Sequence, residues 1–177
     1  MSITPRLSTG CALVGYTTLC FREANQKVSN PTMWQPNKIE QERMKKAEQL
    51  RERGVDLYPK RATRTHNTAQ AIEAFETKES TDEEAAQQIE VTVAGRIRRL
   101  NVKGKVSFMH IEDEHGRVQL FLRINDMDDE VYALVKDKLI EQDDFVQATG
   151  TMMRTRAGEV SVRVADFKLL SKTISPL

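Results

Sequence analysis

Two residues on neighbouring predicted strands, Phe108 and Gln119, carry side chains suited to contacting an unpaired nucleobase. An aromatic ring offers a surface on which any base can stack, and an amide offers a donor and an acceptor to a base edge. Period-two alternation over residues 106–111 and 117–123 puts both side chains on the face opposite the apolar residues, which is the solvent side. The pattern therefore predicts a protein that binds single-stranded nucleic acid.

Positive charge is concentrated beside these two residues. Residues 91–111 contain five basic side chains and no Asp or Glu, although the net charge of the whole chain is only +1. A local cluster of this kind attracts a phosphate backbone, which the small net charge of the chain would not do. The predicted RNA-contacting residues of the cluster are Arg96, Arg98, Arg99, Lys103 and Lys105.

Composition excludes several other classes of protein. The only cysteines are Cys11 and Cys20, which form neither a disulfide framework nor a four-ligand metal site, so a cytoplasmic protein without a bound metal is predicted. The apolar run 11–21 is too short to span a bilayer, and no membrane partner is expected. No Ser/His/Asp set, phosphate loop or carboxylate pair has catalytic spacing, so we predict no catalytic or cofactor-binding residue in this chain.

The chain divides into regions of different composition. Residues 1–36 mix Pro, Asn, Thr and Ser without periodicity, and are predicted to be a loosely ordered extension. Residues 37–89 are predicted to be a helical segment whose first helix covers 37–53. Residues 90–172 have strand periodicity and are predicted to be the folded binding domain, after which 173–177 would begin a linker.

The strand-rich region has a recognisable order of elements. Three strands, a helix over residues 129–139 and two further strands follow one another, with a bend predicted at Gly95. This is the order of an OB-fold, a five-stranded Greek-key barrel. We therefore predict a mainly β protein with helices, in which an OB-fold barrel follows an N-terminal helical segment. The ligand surface of this fold includes the loop at 100–104 and the last hairpin, which adds the candidates Arg154, Arg156 and Glu159.

Several motifs, in the right order, also resemble one family. The segments are GR…GKVSF…IEDEHGRVQLFLR (95–123), TGTMMRTRAGEVSV (149–162) and LLSKTISPL (169–177), preceded by RGVDLYP (53–59). Together they look like the N-terminal anticodon-binding domain of class II lysyl-tRNA synthetase, over roughly residues 37–177. Residues 1–36 have no counterpart in this resemblance.

The resemblance implies roles for individual residues. An aromatic at the position of Phe108 would stack on the middle anticodon base, a uracil, and the glutamine matching Gln119 would hydrogen-bond its edge. An acidic residue at Glu159 and a basic one at Arg154 or Arg156 would read neighbouring bases. The implied partner is the anticodon loop of lysine tRNA, with a second copy of the chain, in a homodimer, as a further partner.

The chain departs from the family at one position of the charged cluster. The family commonly has arginine three residues before the loop glycine, where this chain has Asn101. Two outcomes are open: Arg98 or Arg99 substitutes for that arginine, or the contact is lost.

The resemblance also bears on activity. The family's catalytic domain would follow the segment at Ser175 and Pro176, whereas this sequence ends at Leu177. The ATP and Mg²⁺ that the full-length family uses are therefore not expected to bind here, and the chain alone is expected to be inactive as a lysine-tRNA ligase.

Two further functions stay open. A free-standing single-strand-binding OB-fold protein would present several stacking aromatics along a groove, whereas this chain is only 6% aromatic. A dimerisation or interaction module is the other alternative.

Overall fold

The computed structural model describes residues 34–175 and contains a closed five-stranded barrel. Its strands are β1 (Glu90–Lys103), β2 (Val106–Asp113), β3 (Gly116–Arg123), β4 (Phe145–Arg154) and β5 (Val160–Ser171). Around the barrel the order is β1, β2, β3, β5 and β4, and β4 closes on β1. The β3–β5 pair is parallel and the other pairs are antiparallel. The predicted OB-fold is confirmed, while the extension predicted over the first residues lies largely outside the described residues.

Four α-helices accompany the barrel within the described residues. They are α1 (Lys38–Glu52), α2 (Thr68–Glu79), α3 (Glu83–Ala86) and α4 (Asp129–Lys136). A capping box of Asn37 and Glu40 begins α1: Glu40 N donates to Asn37 Oδ1 over 3.0 Å, and Asn37 N donates to Glu40 Oε2 over 2.8 Å. The helix predicted to reach residue 139 ends at Lys136, because Lys138 has a left-handed φ of 57° that an α-helix cannot include.

The barrel core is built by the alternating apolar residues of the strands. Met109 and Ile111 of β2 and Leu120 of β3 are fully buried, whereas Phe108 is only half-buried. The predicted assignment of strand faces is therefore correct for β2 and β3. Because the inner side chains of β2 and β3 pack in the core, the outer face of these two strands is held rigidly.

Strand β1 bends where it changes partners. Its first half pairs with β4 and its second half with β2, and the two pairings meet at Arg96. A Cβ atom at Gly95 would lie 2.8 Å from the carbonyl oxygen of Glu112, so the close approach of the two strands requires glycine. The strand then continues to Lys103, and the loop predicted over 100–104 is reduced to a tight turn at Gly104, whose φ is +64°.

Asp113 ties the β2–β3 hairpin to the start of α2. Its carboxylate accepts hydrogen bonds from Thr68 N (2.9 Å) and Thr68 Oγ1 (2.6 Å), and from the backbone N–H groups of His115 (2.8 Å) and Gly116 (3.1 Å). Burial acts to raise the pKa of the Asp113 carboxyl, but the hydrogen bonds from Thr68, His115 and Gly116 outweigh it and hold the pKa below its usual value.

A buried ion pair fixes the end of β5. Lys172 and Asp144 both have fully buried side chains, and Lys172 Nζ lies 2.8 Å from Asp144 Oδ2. The same ammonium donates to the carbonyl oxygen of Leu139 over 3.0 Å. Removing one partner of such a pair would leave an uncompensated buried charge, so the pair holds the residues after β5 against the segment before β4.

We predict that Asp113→Ala lowers the free energy of unfolding by about 1–3 kcal/mol at pH 7, because several donors lose a buried acceptor. The folded-state pKa of Asp113 is below its unfolded value of about 3.9, so this stabilisation is fully present above that value and is lost as the pH falls through the folded pKa. Denaturant unfolding from pH 7 to pH 2 should show a gap between wild type and variant that narrows below about pH 4. Asp166→Ala, at an exposed site on β5, is the control, and a gap that stays constant with pH would contradict the prediction.

We predict that two adjacent substitutions in β2 differ strongly in cost. Met109→Ala should lower the free energy of unfolding by about 2–5 kcal/mol, because it opens a cavity in the barrel. Phe108→Ala should cost about 0.5–1.5 kcal/mol, since that ring lies on the outer face and loses mainly an aromatic contact. Urea denaturation of both variants measures the difference, and equal losses would mean that Phe108 belongs to the core.

Candidate nucleic-acid interface

The outer face of β2 and β3 carries an aromatic pair. Phe108 and Phe121 stand directly opposite each other in the antiparallel register. Their ring centroids are 5.4 Å apart, and the ring planes are tilted by 58°. Both side chains are half-buried, so part of each ring remains accessible. Accessible rings of this kind can stack on a base without regard to its identity.

Gln119 lies on the same outer face, but its surroundings differ from the prediction. It stands opposite His110 and therefore diagonal to Phe108, and it is only 7% exposed, not open to solvent. Ser161 Oγ donates to Gln119 Oε1 over 3.0 Å, and Gln119 Nε2 donates to a carboxylate oxygen of Glu159. These bonds fix the orientation of the amide and leave one lone pair and one N–H, whose nitrogen lies 3.5 Å from His110 Nε2.

Glu159 approaches this face from the turn between β4 and β5. Its second carboxylate oxygen lies 3.0 Å from His110 Nε2. Arg163, the next basic residue along the chain, does not pair with Glu159. Arg163 instead donates two hydrogen bonds to Asp126, over 2.7 and 2.8 Å. Glu159 is thus held by the histidine and the amide beside it.

His110 is a further candidate residue, which the sequence pattern did not single out. It contacts Glu159 and lies 3.5 Å from Gln119 Nε2, and its Nδ1 is buried without a hydrogen-bond partner among the described residues. Its position two residues after Phe108 places it on the same strand face. That spacing from Phe108 is the sequence signal that could have identified His110.

The arginines of β1 divide into paired and unpaired ones. Arg98 donates to Glu112 from Nε over 3.0 Å and from a terminal nitrogen over 2.8 Å, so the cluster is not unopposed. These bonds and one from Arg117 hold the pKa of the Glu112 carboxyl below its usual range. Arg96 lies over the Phe145 ring, 4.9 Å from its centroid.

Arg99 is oriented differently from its neighbour. A bulge between Ile97 and Arg99 shifts the alternation of β1, so that Arg99 faces outward and stands opposite His110. Asn101 follows two residues later and stands opposite Phe108. Among the described residues, Arg99 forms no ion pair, which distinguishes it from Arg98.

The turn after β1 and the turn after β4 carry the remaining candidates. Lys103 and Lys105 flank Gly104 and are exposed, as is Arg156 in the last hairpin. Arg154 is bound to Glu79 of α2 by hydrogen bonds from two guanidinium nitrogens, and it donates to Gly158 O over 2.7 Å. That pairing lowers the pKa of the Glu79 carboxyl. Arg154 is therefore occupied within the protein, unlike the lysines.

Residues 34–175 lack two other features that would indicate a function. No group of His, Cys, Asp and Glu there is arranged to hold a metal ion. None of the helices in this range is both long and apolar enough to cross a membrane.

Comparison with known proteins agrees with this arrangement. Residues 91–170 match the family described as OB-fold nucleic acid binding domain. The chain is 43% identical over 143 residues to a lysine–tRNA ligase of Roseiflexus castenholzii. The aligned region covers 79% of this chain and 27% of that protein. It is 40% identical over 137 residues to the enzyme of Enterococcus faecalis (76% and 26%) and 37% identical over 139 residues to that of Bacillus subtilis (77% and 27%).

The matched region spans only about a quarter of the length of these curated relatives. The predicted resemblance to lysyl-tRNA synthetases is nevertheless confirmed by the identity over most of this chain. Residues 91–170 are thus similar to OB-fold nucleic acid binding domains, and most of the chain is similar to the N-terminal region of lysine–tRNA ligases.

Proposed function

We propose that this chain binds the anticodon loop of lysine tRNA on the outer face of β2 and β3, as the anticodon-reading part of a lysine–tRNA ligase. The observation that carries the proposal is that an accessible aromatic ring, Phe108, shares the outer face of β2 and β3 with a polar set made of Gln119, Glu159 and His110. In this proposal, aminoacylation and the ATP and Mg²⁺ that it needs belong to the part of the related ligases that lies outside the matched region. The proposed location is the cytoplasm.

Base stacking is the first step of the proposed recognition. Phe108 is half-buried and is supported from the side by Phe121, which holds the ring in one orientation. A base on the exposed ring surface gains about 1–3 kcal/mol, whichever base it is. Stacking therefore supplies affinity, and identity must come from the polar neighbours.

Selection of uracil depends on the donor and the acceptor of Gln119 that Ser161 and Glu159 do not use. Its Oε1 already accepts from Ser161 and one N–H already donates to Glu159, so one N–H and one lone pair remain. Uracil offers a carbonyl oxygen to that N–H, and its ring N–H can donate to the Gln119 oxygen or to Glu159. Cytosine has an amino group where uracil has its carbonyl oxygen. The amino group would face the N–H donor of Gln119, and two donors cannot form a hydrogen bond with each other.

In this proposal the phosphates contact the cations that form no ion pair within residues 34–175. Arg99 faces outward beside His110, and Lys103 and Lys105 extend from the adjoining turn. We assign Arg99, and not Arg98, the role of the arginine that the family has at the position of Asn101. Glu112 already binds Arg98, and an RNA phosphate would have to compete with it.

A general single-strand-binding protein is the alternative to exclude. Such a protein would bind an unstructured oligonucleotide as well as an anticodon stem-loop of equal length, because its stacking does not depend on sequence. Direct comparison of the two RNAs by fluorescence anisotropy tests the proposed function. Equal affinity would refute anticodon recognition. Self-association stays a separate prediction, which the mass of the protein in solution by sedimentation equilibrium would test.

We predict that Phe108→Ala weakens binding of the lysine anticodon stem-loop by roughly tenfold to a hundredfold, because the stacked base loses its support. Phe108→Tyr keeps the ring and should bind within about threefold of wild type. Fluorescence anisotropy titration measures both variants after their folding has been verified by circular dichroism.

In the same assay Gln119→Ala should remove most of the preference for uracil over cytosine at the middle position. Its effect on affinity for the cytosine variant should be small, since stacking on Phe108 is intact. Loss of affinity for both stem-loops to the same extent would show that Gln119 does not read the base edge.

We predict that Arg99→Ala reduces the slope of log affinity against log salt by about 0.7, which corresponds to one phosphate contact with a single strand. Arg98→Ala is the matched control from the same strand, and it should change the slope much less because Glu112 already compensates that charge. Equal slopes for the two variants would contradict the assignment of Arg99.

A further inference from the structure

The turn between β4 and β5 carries Glu159, whose side chain is held by little packing. That side chain is 47% exposed, and its two carboxylate oxygens reach Gln119 and His110 on the outer face of the barrel. Because it packs so little, its place depends on the backbone that bears it and on the elements that support that backbone. Whatever attaches this turn to the rest of the protein therefore decides whether Glu159 meets the amide of Gln119.

Hydrogen bonds within the turn give it a defined shape. Thr155 N donates to Glu159 O over 2.9 Å, and Gly158 N donates to Thr155 O over 2.8 Å. Glu159 N donates to Thr155 Oγ1 over 3.1 Å. The left-handed φ of +87° at Gly158 allows the chain to reverse there. All of these bonds are local, so they shape the turn without fixing its place against the neighbouring elements.

Arg154 attaches the turn to α2. Its Nη1 donates to Gly158 O over 2.7 Å, and its Nε donates to Glu79 Oε1, at the end of α2, over 2.9 Å. Its Nη2 donates to the other oxygen of the same carboxylate. The guanidinium carbon also lies 5.8 Å from the centroid of the Phe75 ring. A planar guanidinium with five donors can join the turn and the helix in this way at the same time.

Helix α2 is anchored to the barrel at its other end as well. Thr68, its first residue, is buried and donates two hydrogen bonds to Asp113 of the β2–β3 hairpin. Phe75, in the middle of the helix, is buried in the core. The helix therefore connects the hairpin that contains Gln119 with the turn that contains Glu159. A rigid helix bonded at both ends can hold the two residues at a constant separation.

We propose that Arg154 is a positioning residue for base recognition: with Glu79 it fixes the β4–β5 turn to α2, and the turn in consequence holds Glu159 against Gln119. The inference rests on the proposed function, because it concerns the amide that selects uracil. It separates the two arginines for which the resemblance implied one role. Arg154 acts within the protein, whereas Arg156 is exposed, forms no ion pair among the described residues and is the cation of this turn that is open to RNA.

Glu79 gives a sharp test, because two roles of Arg154 predict opposite results. If Arg154 contacted a phosphate, Glu79→Gln would release it and remove a negative charge, and RNA binding would become tighter. If Arg154 positions the turn, Glu79→Gln should lower the preference for uracil over cytosine at the middle position by about threefold or more. Fluorescence anisotropy with the two stem-loops measures this preference. Glu76→Gln, at an exposed position of the same helix, is the matched control and should leave the preference unchanged.

Arg154→Ala tests whether the effect passes through Glu159. It should lower the uracil preference as Glu79→Gln does and leave the salt slope nearly unchanged, whereas Arg156→Ala should reduce that slope by about 0.7. In a Glu159→Ala protein, Arg154→Ala should cause no further loss of preference, because the residue through which it acts is already absent. If Arg154→Ala does not fold, Glu79→Gln, which keeps the shape of the side chain, replaces it in this double-mutant cycle.

A measurement without RNA distinguishes this inference from the proposed function. In the free protein, the NMR signal of the Gln119 side-chain amide is identified by its absence from the Gln119→Ala spectrum. Arg154→Ala and Glu79→Gln should each shift this signal in the direction in which Glu159→Ala shifts it, since each moves the carboxylate away from the amide. An unmoved signal, or tighter RNA binding by Glu79→Gln, would overturn the positioning role. A shifted signal in a protein whose wild type does not prefer uracil would refute anticodon recognition and leave the attachment of Glu159 through Arg154 confirmed.

Discussion

The bulge in β1 determines which side chains this protein presents to a ligand. Before it, Ile97 faces the core, and after it Leu100 pairs with the buried Met109, so the inward positions change from odd to even numbers. Without the extra residue Arg99 would point into the barrel, where an unpaired charge is very costly. The bulge instead turns Arg99 outward beside His110. The bend at Gly95 serves the same end, because it lets β1 leave β4 and join β2.

Most polar groups on the outer face satisfy one another, and His110 Nδ1 is left without a partner among the described residues. Glu159 accepts from Gln119 and contacts His110, and Ser161 completes the coordination of the amide. Such mutual bonding keeps buried donors and acceptors from being left without partners. It also orients the amide before a base arrives, which reduces the ordering cost of binding. A base that cannot use the one remaining N–H and lone pair gains stacking but no hydrogen bonds, and this is how the site would discriminate.

The sequence predicted the faces of the strands better than the contacts between them. Alternation placed Phe108, Gln119 and the buried Met109 correctly, because a strand has only two sides. It could not give the register between β2 and β3, which puts His110 opposite Gln119. Ion pairs were missed for the same reason. Glu112 binds an arginine fourteen residues earlier in the chain, and only strand pairing brings them together.

A count of charges along the sequence is therefore a poor guide to an RNA-binding surface, and a count of unpaired charges is a better one. The acid-free stretch of β1 suggested a uniform basic patch, but Glu112 of β2 opposes Arg98. In the same way, Glu79 of α2 opposes Arg154 at the last hairpin. Among the described residues, Arg99 beside the aromatic pair has no such partner, and neither do Lys103 and Lys105 in the adjoining turn. A phosphate backbone attracted to these cations would lie along the edge of the face that carries Phe108, and the proposed path of the RNA follows from that constraint.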